Sequence, residues 1–400
     1  MKSSKGRVYR AAAAVFLVLF ALGSLLIARR DDQLAAQAKG RLGNDALKWA
    51  VSDFVSVNQS RGLDLQSIDI LRAYFDTLHL SSTIVHQGTL DLTSVSRQGV
   101  IVRSAPNGAG FPMSTLAVDA TAIKGTMGED VGTAAGEGRI VLGASAAAQN
   151  GVLAGDLVTL MGWNGIPATF EVGSVQPDPV ISGVEAVISL ESAAQLGFTR
   201  PFSIRAWGFD NREAVQASMQ VLRNTWKLGP MRIRFSWQEA LLDDTVPQAD
   251  IKVLLGDFWV KRGTSGTLQI DPAWKLVHIA NVSLPLVGLV RCNTVVATAA
   301  AEALQELADA GLAGLIHATD SRLRGGCFSA RETRSLIGNS GRNLSRHTWG
   351  AAVDINPSQN PYGGRSRMDG RVIDAFRRHG FVWGGSFLVP DPMHFEFVGR

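Results

Sequence analysis

Cysteine is nearly absent from this 400-residue chain. Its two copies, Cys292 and Cys327, form no Cys-x-x-Cys pair, so no thiolate metal site is indicated. Charge is sparse as well, at 18% of residues, and the formal net charge is only +4. With 46% apolar residues the composition is that of a globular chain of two or three domains, not of a disordered one. No internal repeat or low-complexity tract stands out, which sets aside repeat arrays. After residue 28 no apolar run is long enough to cross a bilayer, which argues against a polytopic transporter. Lysine vanishes over residues 322–400, where twelve arginines face six acids. That excess of six positive charges suits an anionic polymer, but it suits a solvated basic surface equally well. The basic residues are scattered arginines, so nucleic acid is not an expected partner.

What the chain does have begins at its N-terminus. Residues 11–28 carry no charge, and Lys2, Lys5, Arg7 and Arg10 precede them. Eighteen helical residues span roughly 27 Å, enough for a bilayer core. The basic flank keeps residues 1–10 in the cytoplasm and sends the chain after residue 30 outside. A cleaved signal peptide, giving a secreted protein, is the competing reading. It fits less well, because Arg29, Arg30, Asp31 and Asp32 stand where a small-residue cleavage site belongs. Either route exports the chain, and in an oxidising compartment Cys292 and Cys327 are expected to pair as a disulfide.

The whole reads as α+β: a transmembrane signal anchor at 11–28, a mixed α/β extracytoplasmic region at 31–245, a linker at 246–252 and a C-terminal α+β domain at 253–400. Residues 31–50 read as a helix leaving the membrane. Strands are predicted at 100–103, 138–142, 157–160 and 168–172, bounded by Gly, Asn and Pro, and helices at 145–153 and 211–227. An Ala/Leu-rich amphipathic helix is expected at 294–310, then a strand at 312–319. The stretch 139–160 (RIVLGASAAAQNGVLAGDLVTL) pairs a strand and a small-residue helix with G-D-x-V-x-L and a second strand. In this it resembles the extracellular core domain of FtsX-like and macrolide-exporter-type permeases. That resemblance spans about 10–245 and implies a docking, sensing or spacer role toward a membrane partner.

The chemistry concentrates in two segments, 345–356 (SRHTWGAAVDIN) and 391–397 (DPMHFEF). Alternation along 351–356 puts Asp354 on the face opposite Ala351, Val353 and Ile355. A carboxylate there needs a counter-charge, which a metal supplies. His347 lies seven residues earlier, with Gly350 between them to permit a turn. His394 and Glu396 share one face of a second strand, with Phe395 and Phe397 behind. If the two strands are neighbours, His347, Asp354 and His394 converge on one ion. Two histidines and a carboxylate with one open position suit Zn²⁺, and Asp391 is placed to act as general base. Glu396 reads as an orienting partner. Trp349 and Trp383 fit a cleft wall or a core equally. His79, His86, His278, His317 and His379 read as structural.

The string S-x-H-x-x-G-x-A-x-D with D-x-x-H downstream resembles the VanY-like zinc D-Ala-D-Ala carboxypeptidases and L-Ala-D-Glu peptidases. The likeness covers about 252–400 and includes 270–274 (IDPAW), 285–292, 325–331 (GGCFSAR) and 381–385 (FVWGG). It implies one zinc ion held by His347, Asp354 and His394, with Asp391 as catalytic base and peptidoglycan stem peptides as substrate. It also implies an arginine ahead of the first ligand that holds a substrate carboxylate or oxyanion. The usual Y-R-S form is missing, which leaves Arg331 first and Arg324 second. Hedgehog signalling domains resemble the same constellation, so a non-catalytic binding or sensing protein is the alternative.

Overall fold

Alternating apolar and polar residues build a ten-stranded sheet from the first half of the chain. Its strands are β1 (Phe54–Gln59), β2 (Ser81–Arg97), β3 (Val100–Ser104), β4 (Phe111–Val118), β5 (Ile140–Gly143), β6 (Leu157–Met161), β7 (Pro167–Gln176), β8 (Ala186–Ser189), β9 (Pro201–Trp207) and β10 (Met231–Phe235). The computed structural model describes residues 53–59, 62–237, 245–263, 268–317, 326–333 and 342–399. The expected membrane helix at 11–28 and the helix at 31–50 lie outside them. Among the described residues no helix is long and apolar enough to cross a membrane.

Strand order is β10-β1-β9-β2-β4-β8-β5-β7-β6, with β3 alongside β2. The long strand β2 is shared: its first part pairs with β9, its last part with β6. Because β6 returns to β2, the strands β2, β4, β8, β5, β7 and β6 close a ring of pairings, which removes free edges. Leu90, Leu92, Met113, Leu142, Leu160, Phe170 and Phe198 fill the core of that barrel. The expected strands at 100–103, 138–142, 157–160 and 168–172 all fall within observed ones, give or take two residues at an end.

Strands β9, β1 and β10 extend the sheet beyond the barrel. Two helices cover one face of the extension. In α1 (Leu65–Thr77), Asp64 caps the N-terminus by accepting from Ser67 N at 2.7 Å, and Ile68, Leu71 and Phe75 repeat at helical spacing. Short helix α2 (Ala144–Asn150) packs against the barrel, and α3 (Arg212–Thr225) starts at Asn211, whose side chain accepts from Ala214 N. Val215, Met219 and Leu222 of α3 join Val55, Val57, Ile204 and Ile233 in one apolar cluster. Full burial of each such side chain stabilises the fold by about 1.5–3 kcal/mol. The strands alternate, so their other face carries Ser56, Asn58, Arg205, Arg232 and Arg234.

Residues 246–252, expected as a linker, are largely helix instead: α4 (Gln248–Leu255). The reason is packing. Lys252 is wholly buried, with Nζ 2.7 Å from Glu185 of the barrel and 3.0 Å from Asp257. Nearby, Gly110 and Val260 exchange backbone hydrogen bonds of 2.8 and 2.9 Å. Arg262 bridges Asp91 of β2 and Glu332. A mobile connection cannot keep a lysine ion pair dry, so this segment is part of the fold. By their contacts the described residues belong to one unit.

Beyond it run two hairpins, β11 (Val260–Arg262) with β12 (Leu268–Ile270), and β13 (Ile279–Leu284) with β14 (Gly288–Asn293). Asn293 caps α5 (Thr294–Asp309), whose apolar positions Val296, Ala300, Ala303, Leu304 and Leu307 are buried as the pattern predicts. The strand expected at 312–319 is replaced by a 3-10 turn, Ala313–Leu315. Its backbone groups find local partners, since Leu315 N donates to Leu312 O and Ile316 N to Ala313 O. The Asn356 side chain takes Leu315 O and His317 N, so no neighbouring strand is needed. Residues 318 and 319 lie outside the described set.

The two strands read around Asp354 and His394 are neighbours in a small antiparallel sheet of β15 (Ala352–Asp354), β17 (His394–Phe397) and β16 (Phe381–Trp383), with β17 central. Helix α6 (Gly370–Arg378) packs Phe376 on its back, with ring centroids 4.4 Å from Phe395 and 5.2 Å from Phe381. Cys292 at the end of β14 and Cys327 form a disulfide.

Candidate metal centre

His347 sits on a 3-10 turn, Arg346–Trp349, capped by Ser345. The turn stops at Gly350 with φ of +63°, where an added Cβ would lie 2.7 Å from Asn293 N. Glycine is required on both counts. The His347 Nδ1 lies 2.8 Å from Cys327 O, which makes it the donor and leaves Nε2 as the acceptor. That Nε2 is buried and stands 3.2 Å from Asp354 Oδ1, yet it makes no hydrogen bond among the described residues. The disulfide therefore holds the carbonyl that orients the histidine.

Asp354 and His394 are direct cross-strand partners in β15 and β17. His394 Nδ1 lies 3.2 Å from the same Asp354 Oδ1. One ligating atom from each of His347, Asp354 and His394 lies within 4.8 Å of the others. Burial alone would raise the Asp354 carboxyl, but the two imidazoles outweigh it and hold it well below the usual carboxylate range. Burial would likewise lower His394, but Asp354 and Glu396 push it up to about 10. Two histidines, a carboxylate and an orphaned Nε2 fit a divalent cation of the zinc type.

Glu396 is buried beneath this cluster, with Oε2 3.7 Å from His394 Nε2. Arg346 Nε donates to its Oε1 at 2.7 Å. Burial opposes the charge on Glu396, but Arg346 and His394 hold its carboxyl below the ordinary value. Sequence reading finds Glu396 as an orienting group and misses Arg346, the residue directly before the first histidine.

Asp391 lies in the turn leading into β17. Its N–H donates to Gly384 O at 2.8 Å and its carbonyl accepts from His394 N at 3.0 Å. An added Cβ on Gly384 would lie 2.7 Å from Asp391 O, so this glycine lets the two segments touch. Trp383 Nε1 donates to Pro392 O at 2.8 Å and braces the same turn. Trp349 is fully buried against Phe258 and belongs to the core. The Asp391 Oδ1 is buried and unpartnered among the described residues. Burial pushes this carboxyl up, with Asp354 adding to the effect and His394, His347 and Arg331 opposing it. A carboxylate in that state readily takes a proton.

Asp391 and His394 open onto a cleft of about 740 Å³, and Arg331 lines it too. Arg331 is fixed through its backbone: its carbonyl accepts from Ser345 N at 3.0 Å and its N–H donates to Thr348 Oγ1 at 3.1 Å. Arg324 lies outside the described residues. The five histidines read as structural stand apart from the cluster; His379 Nε2, for one, lies 2.9 Å from Glu306. Sequence reading misses three arginines of the cleft lining, Arg205, Arg232 and Arg234 of the ten-stranded sheet. The available signal is Arg-Ile-Arg at 232–234, two arginines flanking a buried apolar residue at strand period.

Residues 338–397 match the model of the D-alanyl-D-alanine carboxypeptidase family. All four of His347, Asp354, Asp391 and His394 lie inside the match, while Arg331 and both cysteines lie outside it. The match supports a peptidase with a peptidoglycan-type substrate. It does not extend to residues 31–245, whose permease-like resemblance rests on sequence pattern alone. No curated protein matches the chain.

Proposed function

We propose that this chain is an extracytoplasmic zinc peptidase that hydrolyses peptidoglycan stem peptides, held at the membrane by residues 11–28. The observation that carries this reading is the convergence of His347, Asp354 and His394 within 4.8 Å, beside Asp391, whose buried Oδ1 makes no hydrogen bond among the described residues. Zinc bound there would act as a Lewis acid toward the scissile carbonyl and acidify a water. His347 and His394 offer neutral nitrogens, and Asp354 neutralises one unit of the ion's charge. Glu396 and Arg346 hold His394 in place.

Asp391 takes the proton of the attacking water and passes it to the leaving amine, a task for which its raised pKa suits it. Arg331 holds the substrate carboxylate or the developing oxyanion from the cleft wall. The cut falls at D-Ala-D-Ala or at an L-Ala-D-Glu-type bond. Residues 53–237 and the described residues of the C-terminal region work as one cleft-forming body joined by α4.

The test is digestion of purified peptidoglycan and synthetic stem peptides by the full-length protein, with products read by mass spectrometry. Release of terminal D-Ala, or of an L-Ala-D-Glu cleavage product, that is abolished by chelator and by Asp391→Ala supports the reading and names the bond. A folded, zinc-loaded protein that yields neither product overturns it in favour of a binding or sensing role.

A further inference from the structure

Two short segments ahead of the His347 turn pair with each other. Glu332 and Leu344 form an antiparallel bridge, Thr333 N donates to Asn343 O at 2.8 Å, and Ser345 N donates to Arg331 O at 3.0 Å. One arm of this ribbon runs straight into the metal centre. Ser345 caps the His347 turn, Ser329 N donates to His347 O at 2.9 Å, and Thr348 Oγ1 donates to Arg331 O at 2.8 Å. Wherever the ribbon sits, Arg331 and the backbone of His347 go with it.

The ribbon is seated on the barrel, and Arg262 makes the connection. Backbone hydrogen bonds between Gly110 and Val260 lay β11 against the barrel. Two residues past Val260, the Nη1 of Arg262 donates to Asp91 of β2. The rest of its fork points to the ribbon. Nε donates to Glu332 Oε1 at 2.7 Å and Nη2 to Arg342 O at 3.1 Å, one on each arm. The side chains of Asp91 and Arg262 are 10% and 17% exposed, so water competes little for these bonds. Further contacts hold the second arm. Arg342 has a φ of +53°, left-handed backbone that a residue other than glycine keeps only when its surroundings enforce it. Its Nη2 donates to Trp163 O at 2.7 Å, between β6 and β7, and Thr89 Oγ1 of β2 donates to Asn343 Oδ1 at 3.1 Å.

We infer that Arg262, seated on Asp91, is a positioning residue for the metal centre. Its planar fork docks both arms of the ribbon on the barrel and so fixes where Arg331 and His347 stand. The barrel then sets the geometry of the site instead of serving as a spacer. This inference rests on the peptidase reading for what Arg331 does to a substrate, though not for the coupling of the ribbon to the metal centre.

The experiment compares full-length wild type with Arg262→Lys and Glu332→Gln. Lysine keeps a counter-charge beside Asp91, but its single ammonium cannot span both arms of the ribbon. Glu332→Gln leaves the Asp91–Arg262 pair intact, so thermal melting should show both variants folded. Hydrogen exchange read by mass spectrometry should find the amides of 331–333 and 342–345 exchanging about tenfold faster or more, with those of β4 and β8 unchanged. The zinc dissociation constant, from chelator competition, should rise at least about threefold, less than the 10–100-fold usual for a group bonded directly to a ligand. With zinc bound, kcat/KM for stem peptides should fall by about tenfold or more.

A purely structural ion pair would shift the melting midpoint and move none of these three. Wild-type ribbon exchange or wild-type zinc affinity in a folded variant therefore overturns the inference, and so does wild-type kcat/KM in an active one. If Arg262→Lys does not fold, Glu332→Gln alone carries the test. Wild-type protein that binds zinc and hydrolyses nothing would sink the peptidase reading, and ribbon exchange and zinc affinity would still decide the role of Arg262.

Discussion

Asp354 and His394 face each other directly across the β15–β17 ladder, with His394 Nδ1 3.2 Å from Asp354 Oδ1. His347 Nε2 approaches the same oxygen at 3.2 Å from a separate turn. One carboxylate oxygen thus gathers both histidines, and Asp391, three residues before His394, lies at the cleft side of the group. Each part of this arrangement has a measurable consequence.

Replacing Asp391 by Ala removes the proton acceptor and leaves the three candidate ligands in place. Hydrolysis of stem peptides should fall by about 10²–10⁴-fold, the usual worth of a positioned general base. Zinc content, read by atomic emission, should stay at the wild-type level. Activity within tenfold of wild type would show that Asp391 is not the base.

Glu396→Gln keeps the shape of the side chain but removes the charge that Arg346 and His394 share. Groups that orient a metal-binding histidine are commonly worth 10–100-fold in metal affinity or activity. A competition assay with a zinc chelator should therefore show a dissociation constant raised by about that factor. An unchanged constant would reduce Glu396 to a structural ion pair.

The Cys292–Cys327 bond closes a span of 35 residues. In the chain-entropy account such a loop contributes about 3–4 kcal/mol. The double Ser variant should lose that much in urea denaturation. It should also bind zinc more weakly, because Cys327 O is the partner of His347 Nδ1. A denaturation midpoint equal to that of the oxidised wild type would refute the stabilising role.

Asp156, in the barrel, accepts from Arg97 Nε and Nη2 at 2.8 Å each and from Leu153 N at 2.8 Å. The Arg97 hydrogen bonds hold its carboxyl below the ordinary value. A depressed acid stabilises fully above its unfolded pKa of about 3.9 and loses that contribution as pH falls through the folded value. Asp156→Asn should cost about 1–3 kcal/mol at pH 7, and the gap to wild type should narrow once pH falls below the unfolded value of about 3.9 and on through the folded one. A gap that stays constant throughout that acid range would show that the charge on Asp156 does not matter.

Lys252 ties α4 to Glu185 and Asp257 with no exposure of its side chain. Lys252→Ala leaves the buried Glu185 without its counter-charge and Asp257 with Arg103 alone, and should destabilise by about 3–5 kcal/mol. Limited proteolysis should then cut near residues 245–263 faster than in wild type. Unchanged resistance would mean that the two regions are joined by other contacts.

Much of this is readable from the sequence. Period-two alternation places the barrel strands, and helical spacing places α5, because burial on one face writes a pattern into local sequence. His347, Asp354, His394 and Asp391 are legible for a different reason. Their residue types, spacing and intervening glycine match the demands of a metal site, whatever fold surrounds them. The strand expected at 312–319 fails because Asn356, about forty residues away, satisfies that backbone, and no local pattern carries such a partner. The supposed linker at 246–252 fails similarly. Its polar composition is that of a linker, and only Glu185, on the approach to β8, and Asp257 make Lys252 a buried residue.

The sequence by itself determined the site's chemistry: which side chains offer lone pairs to a cation, which carboxylate remains over, and which two cysteines can join. Tertiary structure decided what faces that site. Arg205 and Arg234 come to one cleft with His394 because β9, β1 and β10 expose one face while α1 and α3 cover the other, and α4 packs into the fold. Ligand spacing is a local property of the chain. A shared cleft depends on long-range burial, which fixes how separate elements stack and leaves no mark in any short stretch of residues.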